Sequence, residues 1–166
     1  MKKKSIIALA LFFVLQVQLT KGYCQKAECI KGNNFQGYIF PDSVYILIGI
    51  ENQAARFTPA ESAIRVVENE LRFQLSNVTS NLLDFGPGCP EINTRNLKKY
   101  YRQYFGFITS EGERVIFINF IWHKGLGIER LDTDLVSVYD GCTFYWSIQY
   151  NLNTETFGKL KVNTRS

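Results

Sequence analysis

The chain has 166 residues, 46% hydrophobic and 14% aromatic, with 19 Lys+Arg against 15 Asp+Glu; that length suits one domain around one core. Four of the basic residues (Lys2, Lys3, Lys4 and Lys21) and none of the acidic ones precede position 23, so the remainder carries 15 of each sign. A balanced chain lacks the concentrated cationic excess that displaces counterions from nucleic acid, and nucleic-acid binding is excluded on that ground.

The first element is a leader. Lys2-Lys3-Lys4, the apolar run 6–15 and a small-residue exit have the layout of a secretory signal peptide. Ten apolar residues are half of the roughly 20 needed to span a bilayer. Thr20 and Gly22 suit a cleavage site that makes Tyr23 the new N-terminus. Tyr23 before Cys24 speaks against a lipoprotein, whose cysteine follows a small residue. The expected product is a secreted or periplasmic protein of 144 residues with no membrane span. Its organisation is a signal peptide over 1–22, an irregular cysteine-bearing arm over 23–42, and a single domain over 43–166.

Export permits disulfides. Cys24, Cys29, Cys89 and Cys142 allow three pairings, among which sequence does not choose. The favoured set closes a small N-terminal loop with Cys24–Cys29 and ties the mid-chain loop to the sheet with Cys89–Cys142. No Cys-x-x-Cys occurs and His123 is the single histidine, so neither a metal site nor a cofactor is expected.

Residues 44–50 form a short β-branched run that reads as a buried strand. The tripeptide Asp42-Ser43-Val44 matches a short O-glycosylation pattern of some bacteria, and Asn77-Val78-Thr79 matches an N-glycosylation sequon; neither is specific. Thr58-Pro59-Ala60-Glu61 predicts a helix start, with Thr58 as cap, Pro59 in the first turn and Glu61 completing a capping box. Ala60, Ala63, Ile64, Val67, Leu71, Leu75 and Val78 then trace one helical stripe, with Glu61, Arg65, Glu68, Asn69 and Arg72 on the wet side. Residues 86–90 (Gly-Pro-Gly-Cys-Pro) must be loop. A short second helix is expected from about Thr94, with Leu97, Tyr100, Tyr101 and Tyr104 inward. Arg95, Lys98, Lys99 and Arg102 make its solvated face.

Beyond residue 105 the period changes to two. Strands over 105–109 and 114–122 flank the turn 110–113. The second is apolar at nearly every position, so it is expected to be central and covered on both faces. A charged loop over 123–132 leads to a strand over 135–139 and a tight primed turn at Asp140-Gly141. In the next strand Cys142, Phe144, Trp146, Ile148 and Tyr150 face inward; Thr143, Tyr145, Ser147, Gln149 and Asn151 face outward. A last strand covers 157–162. Helices followed by consecutive antiparallel strands predict an α+β domain. A long amphipathic helix packs on a curved antiparallel meander sheet, cystatin-like or similar, with a short second helix.

Four stretches together resemble a known group: Arg56-Phe57-Thr58-Pro59, Tyr101-Arg102-Gln103-Tyr104-Phe105-Gly106, Val138-Tyr139-Asp140-Gly141 and Leu160-Lys161-Val162-Asn163. Over about residues 55 to 163 the ensemble is similar to small exported, uncharacterised proteins of Bacteroidetes-type bacteria. The resemblance implies an envelope or extracellular location and carries no activity. Where that group often has Asp-Gly-Gly and a closing Asn-Gly, this chain has Cys142 and Thr164, and the departure supports a disulfide at Cys142.

No nucleophile elbow, P-loop or dinucleotide fingerprint occurs. The leading expectation is a non-catalytic binding or interaction domain acting through the outward row Thr143, Tyr145, Ser147, Gln149 and Asn151, together with His123 and its loop. The partner would be a protein or glycan. One alternative is a small hydrolase using His123 or the carboxylates Glu129, Asp132 and Asp134. Another is a structural envelope protein without a specific ligand.

Overall fold

The computed structural model describes residues 26–46, 52–82 and 85–163. The expected leader and Cys24 lie outside these residues. Eight strands join in one mixed sheet: β1 (Glu28–Lys31), β2 (Gln36–Ile39), β3 (Gln53–Phe57), β4 (Tyr100–Thr109), β5 (Arg114–Trp122), β6 (Tyr145–Asn151), β7 (Thr156–Phe157) and β8 (Lys161–Val162). Between β3 and β4 come the helix α1 (Glu61–Thr79) and a single turn, α2 (Thr94–Leu97).

The expected helix-on-meander architecture is corrected by this topology. The described residues are mostly sheet, in the order β1-β2-β4-β5-β6-β7, and β2 runs parallel to β4. Among the described residues one helix of 19 residues is present, and the expected second helix is reduced to four. Ten residues of β4 host two short partners on one edge, β2 beside residues 101–104 and β3 beside 106–109. In the same way β8 and β7 share one edge of β6.

Local expectations fail for identifiable reasons. Within the irregular arm expected over 23–42, residues 28–39 form the β1–β2 hairpin, whose strands are too short to show a period. Of the strand expected over 44–50, Val44 to Ile46 are non-strand and the rest lies outside the described residues; β3 follows at Gln53–Phe57. Tyr100, Tyr101 and Tyr104 belong to β4, because aromatic residues gain more from cross-strand packing than from one helical turn. Residues 135–138 carry no strand, and Asp140 (φ 62°) with Gly141 leads into a 3-10 turn, Cys142–Phe144, in place of a hairpin. Thr58 does not cap α1: the cap position is Ala60, without a side-chain bond. The Thr58 hydroxyl instead accepts from the Asp42 amide (3.0 Å) and donates to the Asp42 carboxylate (3.2 Å).

The antiparallel registers give β4, β5 and β6 a common parity. Tyr100, Tyr104, Ile116, Ile118, Phe120, Trp146 and Ile148 share one cluster with Ile64, Val67, Leu71 and Leu75 of α1. Within it, Phe120 and Trp146 stack with ring centroids 3.6 Å apart. On the opposite face Phe105 and Phe107 meet Phe40 and Ala27, and Ile121 and Tyr145 meet Leu131 and Val136. β5 is thus interior to the sheet and covered on both sides.

Candidate functional site

The residues expected to form an outward binding row do not make an open face. Tyr145 is buried. Its hydroxyl accepts the Leu126 amide and donates to the Leu126 carbonyl at 3.2 Å, so it pins the 123–134 loop. A side chain at Gly125 or Gly141 would strike Tyr145, which explains glycine at both positions. Burial raises the Tyr145 pKa, against the bond from Leu126. Thr143 is buried in the 3-10 turn and donates to the Pro90 carbonyl. Ser147 lies between Asn119 and Lys161 in the register. The Gln149 carbonyl accepts the Gly158 amide at 2.9 Å. Asn151 accepts from the amides of Asn153 (2.8 Å) and Thr154 (3.2 Å) and donates to Glu113 (2.9 Å), which makes it a turn-former.

Residues 131–136 form a strap fastened by buried amides. Gln103 and Asn119 face each other across β4 and β5, and Asn119 Nδ2 donates to Gln103 Oε1 at 3.0 Å. Gln103 Nε2 donates to the carbonyls of Leu131 (3.0 Å) and Asp134 (2.6 Å), while its Oε1 accepts the Val136 amide (2.9 Å). Every polar atom of the Gln103 side chain is used.

The groups of the hydrolase reading are separately engaged. His123 Nδ1 and its backbone amide both point at the Lys99 carbonyl, at 3.0 and 2.8 Å. A carbonyl only accepts, so Nδ1 is the donor of this bond. Asp132 pairs with Lys26, and Glu129 with its neighbour Arg130 at 3.6 Å. Asp134 lines a shallow groove with Tyr45 and Leu135. His123 lines neither that groove nor the two pockets that follow.

The built polar site is elsewhere. A pocket of about 240 Å³ opens between the β1–β2 turn, α1 and α2. Its floor is Glu68 and Arg102, both almost fully buried although both were expected in water. Arg102 Nε donates to Glu68 Oε1 at 3.2 Å and Nη2 to Oε2 at 3.4 Å; Nη1 donates to the Tyr100 carbonyl at 2.5 Å. The Tyr104 hydroxyl donates to Glu68 Oε1 at 2.9 Å. Burial holds the Tyr104 pKa well above its usual value, and the Glu68 carboxylate reinforces this. Around the mouth stand Asn33, Asn34, Asn69, Arg65, Arg72 and Thr94. Arg65 donates through Nε and Nη2 to Glu61 Oε1 (2.9 and 2.6 Å), and Nη2 also donates to the Lys31 carbonyl (3.2 Å), joining α1 to the hairpin.

Sequence held a signal for this floor. Ile64, Glu68, Leu71 and Leu75 lie at helical spacings of four, three and four, so Glu68 falls within the apolar stripe. Arg102 alternates with Tyr100 and Tyr104 on one strand face, which spacing alone could have shown.

A second pocket of about 310 Å³ is lined by Leu82, Phe85, Cys89, Ile92 and Thr143 among others. Beside it the Cys89–Cys142 disulfide is formed, with Cα atoms 6.2 Å apart. Cys29 is exposed and has no partner among the described residues, Cys24 being outside them. Among the described residues no cluster of His, Cys, Asp or Glu suits a metal ion, and no helix is long and apolar enough to cross a membrane. No protein-family model, curated protein or solved structure matches the chain.

Proposed function

We propose that the protein is a non-catalytic binding module whose ligand seats in the pocket between the β1–β2 turn, α1 and α2. The observation that carries this reading is the pocket's construction. A hydrogen-bonded ion pair forms its floor, and polar residues from three elements line its mouth. A buried pair adds little net stability compared with apolar packing, so stability alone does not account for its placement under an open polar cavity. The pocket is smaller than the roughly 300–1,000 Å³ of drug-sized ligand sites, which suits one ring or one side chain.

In this reading the module works outside the cytoplasm. The leader-like N-terminus directs export, the Cys89–Cys142 cystine suits an oxidising compartment, and the resemblance to exported bacterial proteins agrees. The partner is an envelope or extracellular glycan or protein fragment.

The test is amide chemical-shift mapping of the purified protein against an envelope hydrolysate. Shifts confined to Asn33, Asn34, Asn69, Thr94 and their neighbours are expected. A response centred on the 123–134 loop, or none, would refute the assignment.

A further inference from the structure

The geometry points to a monoanionic, hydroxyl-rich small molecule as the ligand of this pocket, a sugar carboxylate of the uronic-acid kind, held through Arg72. The inference rests on the binding reading above and adds the chemistry of what is bound.

The charge count around the cavity leads to it. Three arginines line the pocket, Arg65, Arg72 and Arg102, together with Glu68. Glu68 is neutralised by Arg102 and further stabilised by the Tyr104 hydroxyl, so the floor presents no free negative charge to an incoming anion. Arg65 is neutralised by Glu61 on the preceding turn of α1. Arg72, two turns along from Arg65 on the same helix, has no ion-pair partner among the described residues. One uncompensated cation remains. A carboxylate balances it, whereas the nearly dianionic phosphate monoester would leave about one charge unmatched. The planar guanidinium fork also matches a carboxylate through two parallel hydrogen bonds.

The rest of the mouth supplies hydroxyl-directed chemistry. The side-chain amides of Asn33, Asn34 and Asn69 have no partner among the described residues, and each offers two donors and an acceptor; the Thr94 hydroxyl adds one of each kind. Phe35 forms an apolar wall on the hairpin side. A rim of amides, one spare cation and one aromatic wall suits a single oxidised sugar ring better than an apolar metabolite.

The experiment titrates the purified protein with D-glucuronate, D-glucose and D-glucose 6-phosphate, reading amide shifts and affinity for the wild type, Arg72→Gln and Arg72→Lys. Glucuronate is expected to bind tightest, with shifts at the pocket. Arg72→Gln should weaken it about tenfold, as expected for one lost charge-assisted contact, and Arg72→Lys should weaken it less. Arg72 is exposed, so neither variant should alter folding, and the apo spectra verify that directly. The inference is overturned if glucose or the phosphate binds the pocket as well as glucuronate, or if Arg72→Gln leaves the glucuronate affinity unchanged. If none of the three moves the pocket amides, the inference falls. The hydrolysate experiment then tells whether the binding reading falls with it, since pocket shifts there would preserve that reading alone.

Discussion

Glu68 and Arg102 stand 34 positions apart in the chain and meet in the interior, each almost fully removed from solvent, with Nε–Oε1 and Nη2–Oε2 separations of 3.2 and 3.4 Å. The helix is thereby tied to the sheet by a charge pair inside an otherwise apolar cluster, and Arg102 also lies 5.3 Å from the centroid of the Phe120 ring. Taking two charges out of water is expensive, and mutual attraction with good hydrogen bonding roughly offsets it.

Removing one partner leaves the other charge buried and alone. Glu68→Ala is expected to lower the unfolding free energy by about 3–5 kcal/mol. The double replacement Glu68→Leu/Arg102→Met should lie close to the wild type. Urea denaturation of the three proteins checks this, and a double variant as unstable as the single one would contradict it.

Alkali should unfold the protein in a way traceable to its buried phenols. The pKa values of Tyr100 and Tyr104 are both raised by burial, against the coulombic influence of Arg102. A folded pKa above the unfolded value of about 10 means that the native state holds its proton longer. The associated stability is present in full below pH ~10 and drains away as pH rises toward the folded values. Stability measured against pH should therefore fall above ~10, and the fall should be shallower in Tyr104→Phe. An unchanged slope in that variant would be inconsistent with the assignment.

The strap over 131–136 depends on Gln103. Gln103→Leu strips the bonded partner from two carbonyls and one amide at once, each worth about 1–3 kcal/mol when left unsatisfied in the interior. Hydrogen exchange should show the Val136 amide losing protection first while the amides of β5 and α1 keep theirs. Uniform loss across the molecule would mean that the strap is not an independent unit.

The Cys89–Cys142 bridge spans 53 positions. Loop-closure entropy over that length predicts that Cys89→Ser/Cys142→Ser lowers stability by about 4 kcal/mol. Thermal unfolding with and without reductant gives the comparison, and insensitivity of the wild type to reductant would argue against a stabilising bridge.

Native material should begin at Tyr23, with Cys24 and Cys29 joined. Intact mass and non-reducing peptide mapping test both expectations together. A retained Met1 would remove the export argument and the partner class built on it.

Several features were legible before any coordinates. The stripe over α1, the hairpin about residues 110–113, the two-sided burial of β5 and the inward row Trp146, Ile148 and Tyr150 all follow from side-chain periodicity. Periodicity is a local property, set by backbone geometry within a few residues. The Cys89–Cys142 pairing was one of three that the sequence allowed. Other features arise only between segments remote in the chain. β1 and β2 are four residues each and acquire strand geometry by pairing, β2 in parallel with β4 some 65 positions later. Gln103 and Asn119 turn an apparent strand into a strap by answering its backbone groups with side-chain amides. Spacing puts Glu68 and Arg102 on the inward faces of their elements, but only the tertiary structure joins them, because burial of a charge is decided by whether a partner arrives. The sequence alone determined which residues alternate and which recur; the tertiary structure decided which polar groups find each other, and with that where the pocket lies.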